Sequence, residues 1–253
     1  PSVSVAPGAS WTWDGSVYAG PRSGTVLNAL GGDRNQVMHY GMFRVLSRLF
    51  LGALNKFYDW TGVYGIAVML LTIAVRLAIW PLHMKSTRAM KRMSLLAPMM
   101  QELKEKHKDN PQKMQLETMA LYRTYGVNPV GGCLPMLFQF PIFLGYFGML
   151  NAAVEMRGHS FLWAHDLSLP DTVGHILGFP INLMPLIMTV TMFIQMKMAP
   201  QPAQMNEQMA MQQKMLKFMP FMFLWFCYSY ASALALYWTV QNIFGIYQTW
   251  IVK

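Results

Sequence analysis

Apolar positions gather into long stretches divided by segments of very different polarity. The first, Thr61–Pro81 (TGVYGIAVMLLTIAVRLAIWP), is almost unbroken. At about 20 residues it is long enough for a helix to cross a hydrocarbon core of roughly 30 Å. The next are Val130–Val154 and Ile181–Met198, followed by a tail without charge between Lys217 and Lys253. That tail is long enough for two helices, 214–230 and 233–252, parted at the small-residue turn Tyr230-Ala231-Ser232-Ala233. The pattern therefore predicts an all-α membrane protein with five spans. Upstream, Phe43, Leu46, Leu49, Phe50, Ala53, Leu54 and Phe57 recur at helical spacing, with Arg44, Arg48, Asn55 and Lys56 on the other side. This segment is too charged to span. It predicts an amphipathic helix in the membrane interface over 42–60, with Tyr58 and Trp60 at headgroup level; a core helix of a preceding domain has the same pattern.

The polar segments differ among themselves. Residues 1–41 are rich in Gly, Ser and Pro, and the alternation Ser10–Ala19 predicts one strand with no partner. A chain that opens on Pro1 is expected to be a piece of something longer. Leu82–Val127 carries nine basic residues against four acids. It predicts a helical hairpin outside the membrane, one helix from about 84 to 107 with a bend at Pro98. The second is capped by Asn110, opened by Pro111 and closed at Gly126. Its basic face suits solvent, anionic lipid or a dedicated partner. Residues 155–180 form a polar loop containing Phe161-Leu162-Trp163, and 199–213 a Met- and Gln-rich linker.

Charge fixes an orientation. The hairpin and the connection holding Lys197, Lys214 and Lys217 are basic, whereas the loop after the second span has only Arg157. The positive-inside rule makes 82–127 and 199–213 cytoplasmic and puts 1–60 and 155–180 outside. Only 12% of residues are charged and 54% are hydrophobic, against about 25% charged in soluble domains. The net charge of +9 is thus read as topology rather than nucleic-acid binding. Cys133 and Cys227 fall in different apolar stretches, and the six His lack ligand spacing, so neither a disulfide nor a metal site is expected. With no nucleophile–base pair, phosphate loop or paired carboxylates, the reading is a protein that is not an enzyme and needs no cofactor.

Arg76 is the lone formal charge within the first span. A central Arg costs about 2.5 to 3.5 kcal/mol on insertion scales, which marks a functional site unless the head snorkels to the interface. Thr72 shares its helix face with Gly65 and Met69. Gln139, Thr189, Thr191, Gln195, Gln241, Asn242 and Gln248 also fall in the middle or inner half of their spans. Each alone fits a helix–helix hydrogen bond. Together they describe a polar pocket open to the cytoplasm and closed to the outside.

The stretches TIAVRLAIWPL, MALYRTYGVNPVGGCLPMLFQFPIF, FLWAHDLS, TMFIQMKMAP, MQQKMLKFMPFMFLWF and LALYWTVQNI, in this order over residues 42–253, resemble the YidC/Oxa/Alb-type membrane protein insertases. Residues 1–41, with GPRS, resemble the end of the periplasmic β-domain of bacterial YidC-like members, whose remainder and anchoring helix would be missing. One departure is YSYASALALYW, where the family has a Pro-Ser-Gly-like turn. The resemblance implies a five-helix insertase core around a hydrophilic groove, with a mobile cytoplasmic hairpin at its mouth. It assigns the groove charge to Arg76, with Thr72, Gln139, Gln195, Trp238 and Asn242 as neighbours. Met136, Phe140, Phe143, Phe218, Met222 and Trp225 become candidates for the lipid-side slide along which a client helix leaves; each fits ordinary packing equally well. The implied partners are client membrane proteins, the ribosome and nascent chain, the Sec translocon and the lipid bilayer of the inner membrane, with no nucleic-acid function beyond ribosome contact. A small-solute transporter or channel using Arg76 as its site is the rival class, though no inverted repeat is visible. The 24 Met suit adaptable contacts with varied helices as well as lipid-facing filler.

Overall fold

The structure, a computed structural model, describes residues 4, 7–8, 10–12, 14–15, 17–20, 24–31, 41–107, 110–127, 130–199 and 207–252. The short α1 (Gly24–Ala29) lays Leu27 into the core, and its Gly24 N–H donates to Glu155 Oε1 at 3.2 Å. No strand forms among the described residues between 10 and 19. Then come α2 (Arg44–Thr61), α3 (Tyr64–Ala78), α4 (Trp80–Leu95), α5 (Ala97–Lys106), α6 (Pro111–Thr124) and α7 (Val130–Ala152). A two-stranded hairpin, β1 (Thr172–Ile176) with β2 (Phe179–Asn182), precedes α8 (Leu183–Met198), α9 (Glu207–Tyr228) and α10 (Ser232–Val252).

The helix α10 is the hub. It packs along α8 and α3 and touches α4, while α2 lies against α3 and α7, α4 against α7, and α9 against α8. The apolar face of α2 is largely the expected one, with Leu46, Ala53 and Phe57 packed against the core beside Phe50 and Leu54. Ser47, Phe50, Leu51 and Leu54 are buried, whereas Leu49 is 64% exposed. The register is set by Gly145, where a Cβ would stand 2.8 Å from Leu46; its carbonyl accepts from Ser47 Oγ at 2.9 Å.

The first apolar stretch is not one continuous helix. Pro81 has no N–H and its ring crowds the carbonyl four residues back, so α3 stops at Ala78 and α4 departs at 62°. The 15 residues of α3 extend about 22 Å. Among the described residues no single helix is long and apolar enough to cross a bilayer; the bent α3–α4 pair is, taken together. Leu137–Ala152 and α8 are shorter apolar helices.

Beyond the bend, α4 continues into α5 across Leu96, with Pro98 in the first turn of α5. Leu96, Met100, Tyr122 and Val127 form a small core separate from the main one. Asn110 caps α6 through Lys113 N–H at 3.1 Å. At the other end Gly126 (φ +62°) closes a Schellman turn, with Val127 N–H to Tyr122 O at 2.9 Å. His107 Nε2 meets Glu117 Oε2 at 2.9 Å across the hairpin.

Candidate functional site

Arg76 occupies the last turn of α3, where a cation complements the carbonyl end of the helix dipole. Its side chain is 6% exposed. One Nη donates to the backbone carbonyl of Gln241 on α10 at 3.4 Å. The other donates to His83 Nε2, just past the bend, at 3.3 Å, which requires an unprotonated nitrogen there. The Nε–H has no partner among the described residues. A guanidinium has five donors. Here two are used, both near the limit of hydrogen-bond length.

A buried polar string runs from this point toward the other end of the bundle. Gln139 Nε2 donates to Tyr237 OH at 3.2 Å; Tyr237 stacks on Tyr146 at 4.0 Å between ring centres. The Tyr146 hydroxyl lies 3.0 Å from Thr72 Oγ1 and 3.2 Å from Val68 O. Thus α3, α7 and α10 are tied together by side chains from the middle of each.

The remaining site residues fall elsewhere. Asn242 faces α8, donating to Met188 O at 3.3 Å and Thr191 Oγ1 at 3.1 Å. Gln195, on α8, fills the space left by Gly245, where a Cβ would collide with its amide. Both therefore belong to the α8–α10 seam, one helix face away from Arg76. Trp238 is buried in an aromatic cluster with Phe143 (5.1 Å) and Phe223 (4.4 Å). Among the slide candidates Phe140, Phe218, Met222 and Trp225 are exposed, Trp225 at 82%. Phe143 is half-buried in the cluster just described, and the Met136 side chain lies outside the described residues. Sequence reasoning passed over His83, Tyr146 and Tyr237. A usable signal existed in α7, because Gln139 and Tyr146 stand seven residues apart, on one helix face.

The far end of the bundle is closed. Asp171 Oδ2 accepts from Trp163 Nε1 at 2.7 Å and Met184 N at 2.6 Å. Asn182 accepts from Thr172 at 2.7 Å and donates to Tyr228 O, while Ser232 N and Ala233 N bond to Leu169 O and Leu167 O. The ring of Phe161 seals against Gly65, where any Cβ would strike it.

A sequence model described as "60Kd inner membrane protein" matches residues 56–253. The chain belongs to that family. It is 39% identical over 259 residues to "Membrane protein insertase YidC" of Oleidesulfovibrio alaskensis, covering 98% of this chain and 46% of that relative. With the protein of the same description from Cupriavidus pinatubonensis it shares 36% over 254 residues, covering 100% and 43%. The chain thus spans about half the length of the curated relatives it matches. The family fold is also met in a solved structure, "Active YidC insertase crystal structure with the first transmembrane domain resolved". That similarity has a TM-score of 0.59 at 26% identity, over 88% of this chain and 51% of the other.

Proposed function

We propose that this chain is the core of a membrane protein insertase and chaperone of the bacterial inner membrane. It crosses the bilayer five times, with Arg76 at the bottom of a groove open to the cytoplasm. The observation that carries this reading is the buried guanidinium at the end of a broken helix, with donors left to give. The obstacle to insertion is the polar flank of a client, since each unsatisfied backbone group in hydrocarbon costs several kcal/mol. A groove reaching mid-depth shortens the dry path. Arg76 attracts acidic side chains of that flank where the local dielectric is low, and α4 leads the client from the hairpin to the charge. The client's apolar helix then partitions into lipid past the exposed Phe140, Phe218, Met222 and Trp225, and its burial drives the step without a nucleotide. The ribosome and the Sec translocon are the sources from which clients arrive, and the basic hairpin is their landing surface. Solute transport would need a path through the end closed by Asp171, Asn182 and Phe161, which counts against it.

The test is insertion of a short single-span client with an acidic outer segment into proteoliposomes. Arg76→Ala is expected to impair it and Arg76→Lys to keep most of it. Wild-type insertion by both variants removes Arg76 as the receptor. Solute flux at wild-type rates without insertion assigns the chain to the transporter class.

A further inference from the structure

A cavity of about 600 Å³ opens at the closed end of the bundle, where the end of α7 meets the turn between α9 and α10. Its polar wall is made by Asn151, Arg157, Asp166, Ser168, Ser229 and Tyr230. Asp166 is fixed in place: it accepts from Gly158 N at 2.9 Å, from Ser168 N at 2.8 Å and from Ser168 Oγ at 2.7 Å. Burial alone would raise its carboxyl, but these bonds and the nearby Arg157 charge hold it below its ordinary value, so it is anionic at neutral pH. The exposed Arg157 guanidinium is its electrostatic neighbour, yet forms no ion pair within 4 Å among the described residues. The wall thus offers one fixed anion and one free cation.

On one flank the cavity continues into rings. Tyr230 donates to Asn151 Oδ1 at 3.0 Å and packs on Phe147 at 5.2 Å and Phe226 at 5.3 Å. Phe226 is 39% exposed and its neighbour Trp225 82%. Tyr and Trp rings at the end of an apolar bundle mark headgroup depth. A polar hollow at that depth, drained sideways by an aromatic track, has the shape of a molecule with a charged head and an apolar tail.

We propose that this cavity seats the head of a zwitterionic glycerophospholipid from the outer leaflet, its phosphate on Arg157 and its ammonium toward Asp166. The acyl end lies along Phe147, Phe226 and Tyr230. An anionic lipid or an acidic client segment satisfies Arg157 but sets a second negative charge beside Asp166. The proposal rests on the membrane orientation given above and not on insertase activity.

The test uses the full chain in detergent micelles, with bound lipid counted by native mass spectrometry. Dihexanoyl phosphatidylethanolamine is titrated below its micelle concentration and compared with dihexanoyl phosphatidylglycerol, with phosphoethanolamine alone and with an acidic hexapeptide. One phosphatidylethanolamine is expected to bind, several-fold more tightly than phosphatidylglycerol. Arg157→Gln weakens it about tenfold through loss of a charge-assisted hydrogen bond. Arg157→Lys restores part of that loss, and Ser229→Trp, which fills the cavity from an exposed position, abolishes binding. Lipid binding unchanged by Arg157→Gln and Ser229→Trp overturns the proposal. So does phosphoethanolamine binding as tightly as the lipid, which makes a solute site, or displacement by the hexapeptide, which makes a client site.

Discussion

The two ends of the helix bundle hold their buried polar groups with bonds of very different length. At the closed end, Asp171 Oδ2 takes two donors at 2.6 and 2.7 Å while its buried Oδ1 has no partner among the described residues, Asn182 uses both its oxygen and its nitrogen, and the start of α10 is pinned through Ser232 and Ala233. At the Arg76 end the bonds are 3.3 and 3.4 Å, one N–H has no described partner, and the helix that carries the residue stops at a bend. Buried polar groups are ordinarily satisfied, because an orphan forfeits its hydration for nothing. On the proposed function, the short bonds of the closed end belong to the part that holds the fold, and the long bonds of Arg76 to the part that meets the client.

The largest effect that tests this contrast belongs to Asp171→Ala. It strands the Trp163 indole N–H and the Met184 amide, and an orphaned buried donor costs roughly 1–3 kcal/mol. A loss of about 3 kcal/mol or more is expected in detergent denaturation, with Asp171→Asn milder because an acceptor remains. Next is Arg76→Met, expected to reduce insertion of acidic short-tailed clients about tenfold or more while stability stays within about 1 kcal/mol, since an apolar isostere relieves desolvation. Should it unfold the protein as readily as Asp171→Ala, Arg76 is a structural post and the contrast fails. Tyr146→Phe removes one hydroxyl from the string between the two ends and is expected to cost about 1 kcal/mol, because Thr72 keeps its own bond to Val68 O at 2.7 Å. A larger loss would mean that the string, not the closed end, anchors the fold. The smallest effect is in acid. The Asp166 carboxyl sits below its ordinary value of 3.8 in the folded chain, so its contribution is fully present above pH 3.8 and is lost as pH falls through the folded value. Asp166→Asn is expected to flatten the pH dependence of the melting temperature below that point.

What could be read from the sequence was local chemistry and the placement of rare charges. Asn110, Pro111 and Gly126 announce the ends of α6 because capping needs only neighbours in the chain. Arg76 stands out because nothing else in its stretch is charged. The face of α2 was read correctly for Leu46, Phe50, Ala53, Leu54 and Phe57 but not at its edge, because Leu49 and Leu51 are equally apolar and only the packing shows that Leu51 is buried and Leu49 exposed. The β1–β2 hairpin was hidden in a segment expected to be a plain loop. Its strands are short, Pro180 interrupts one of them, and its two-residue turn puts Leu177 at φ +51° ahead of Gly178 at +84°. Asn242 and Gln195 were grouped with Arg76 by depth and by the family resemblance. Depth says nothing of azimuth: Asn242 points from α10 to α8, and Gln195 from α8 to Gly245 of α10.

The joint at Ile79 does more than change a helix's direction. His83 sits on the far side of it, so the imidazole that occupies one of the Arg76 hydrogens is carried on the same arm as the basic hairpin. Any outward displacement of that arm would break this contact and uncap the guanidinium. On the proposed function, cargo at the hairpin and the state of the charge would then be linked through one pivot, with no message passing across the packed helices.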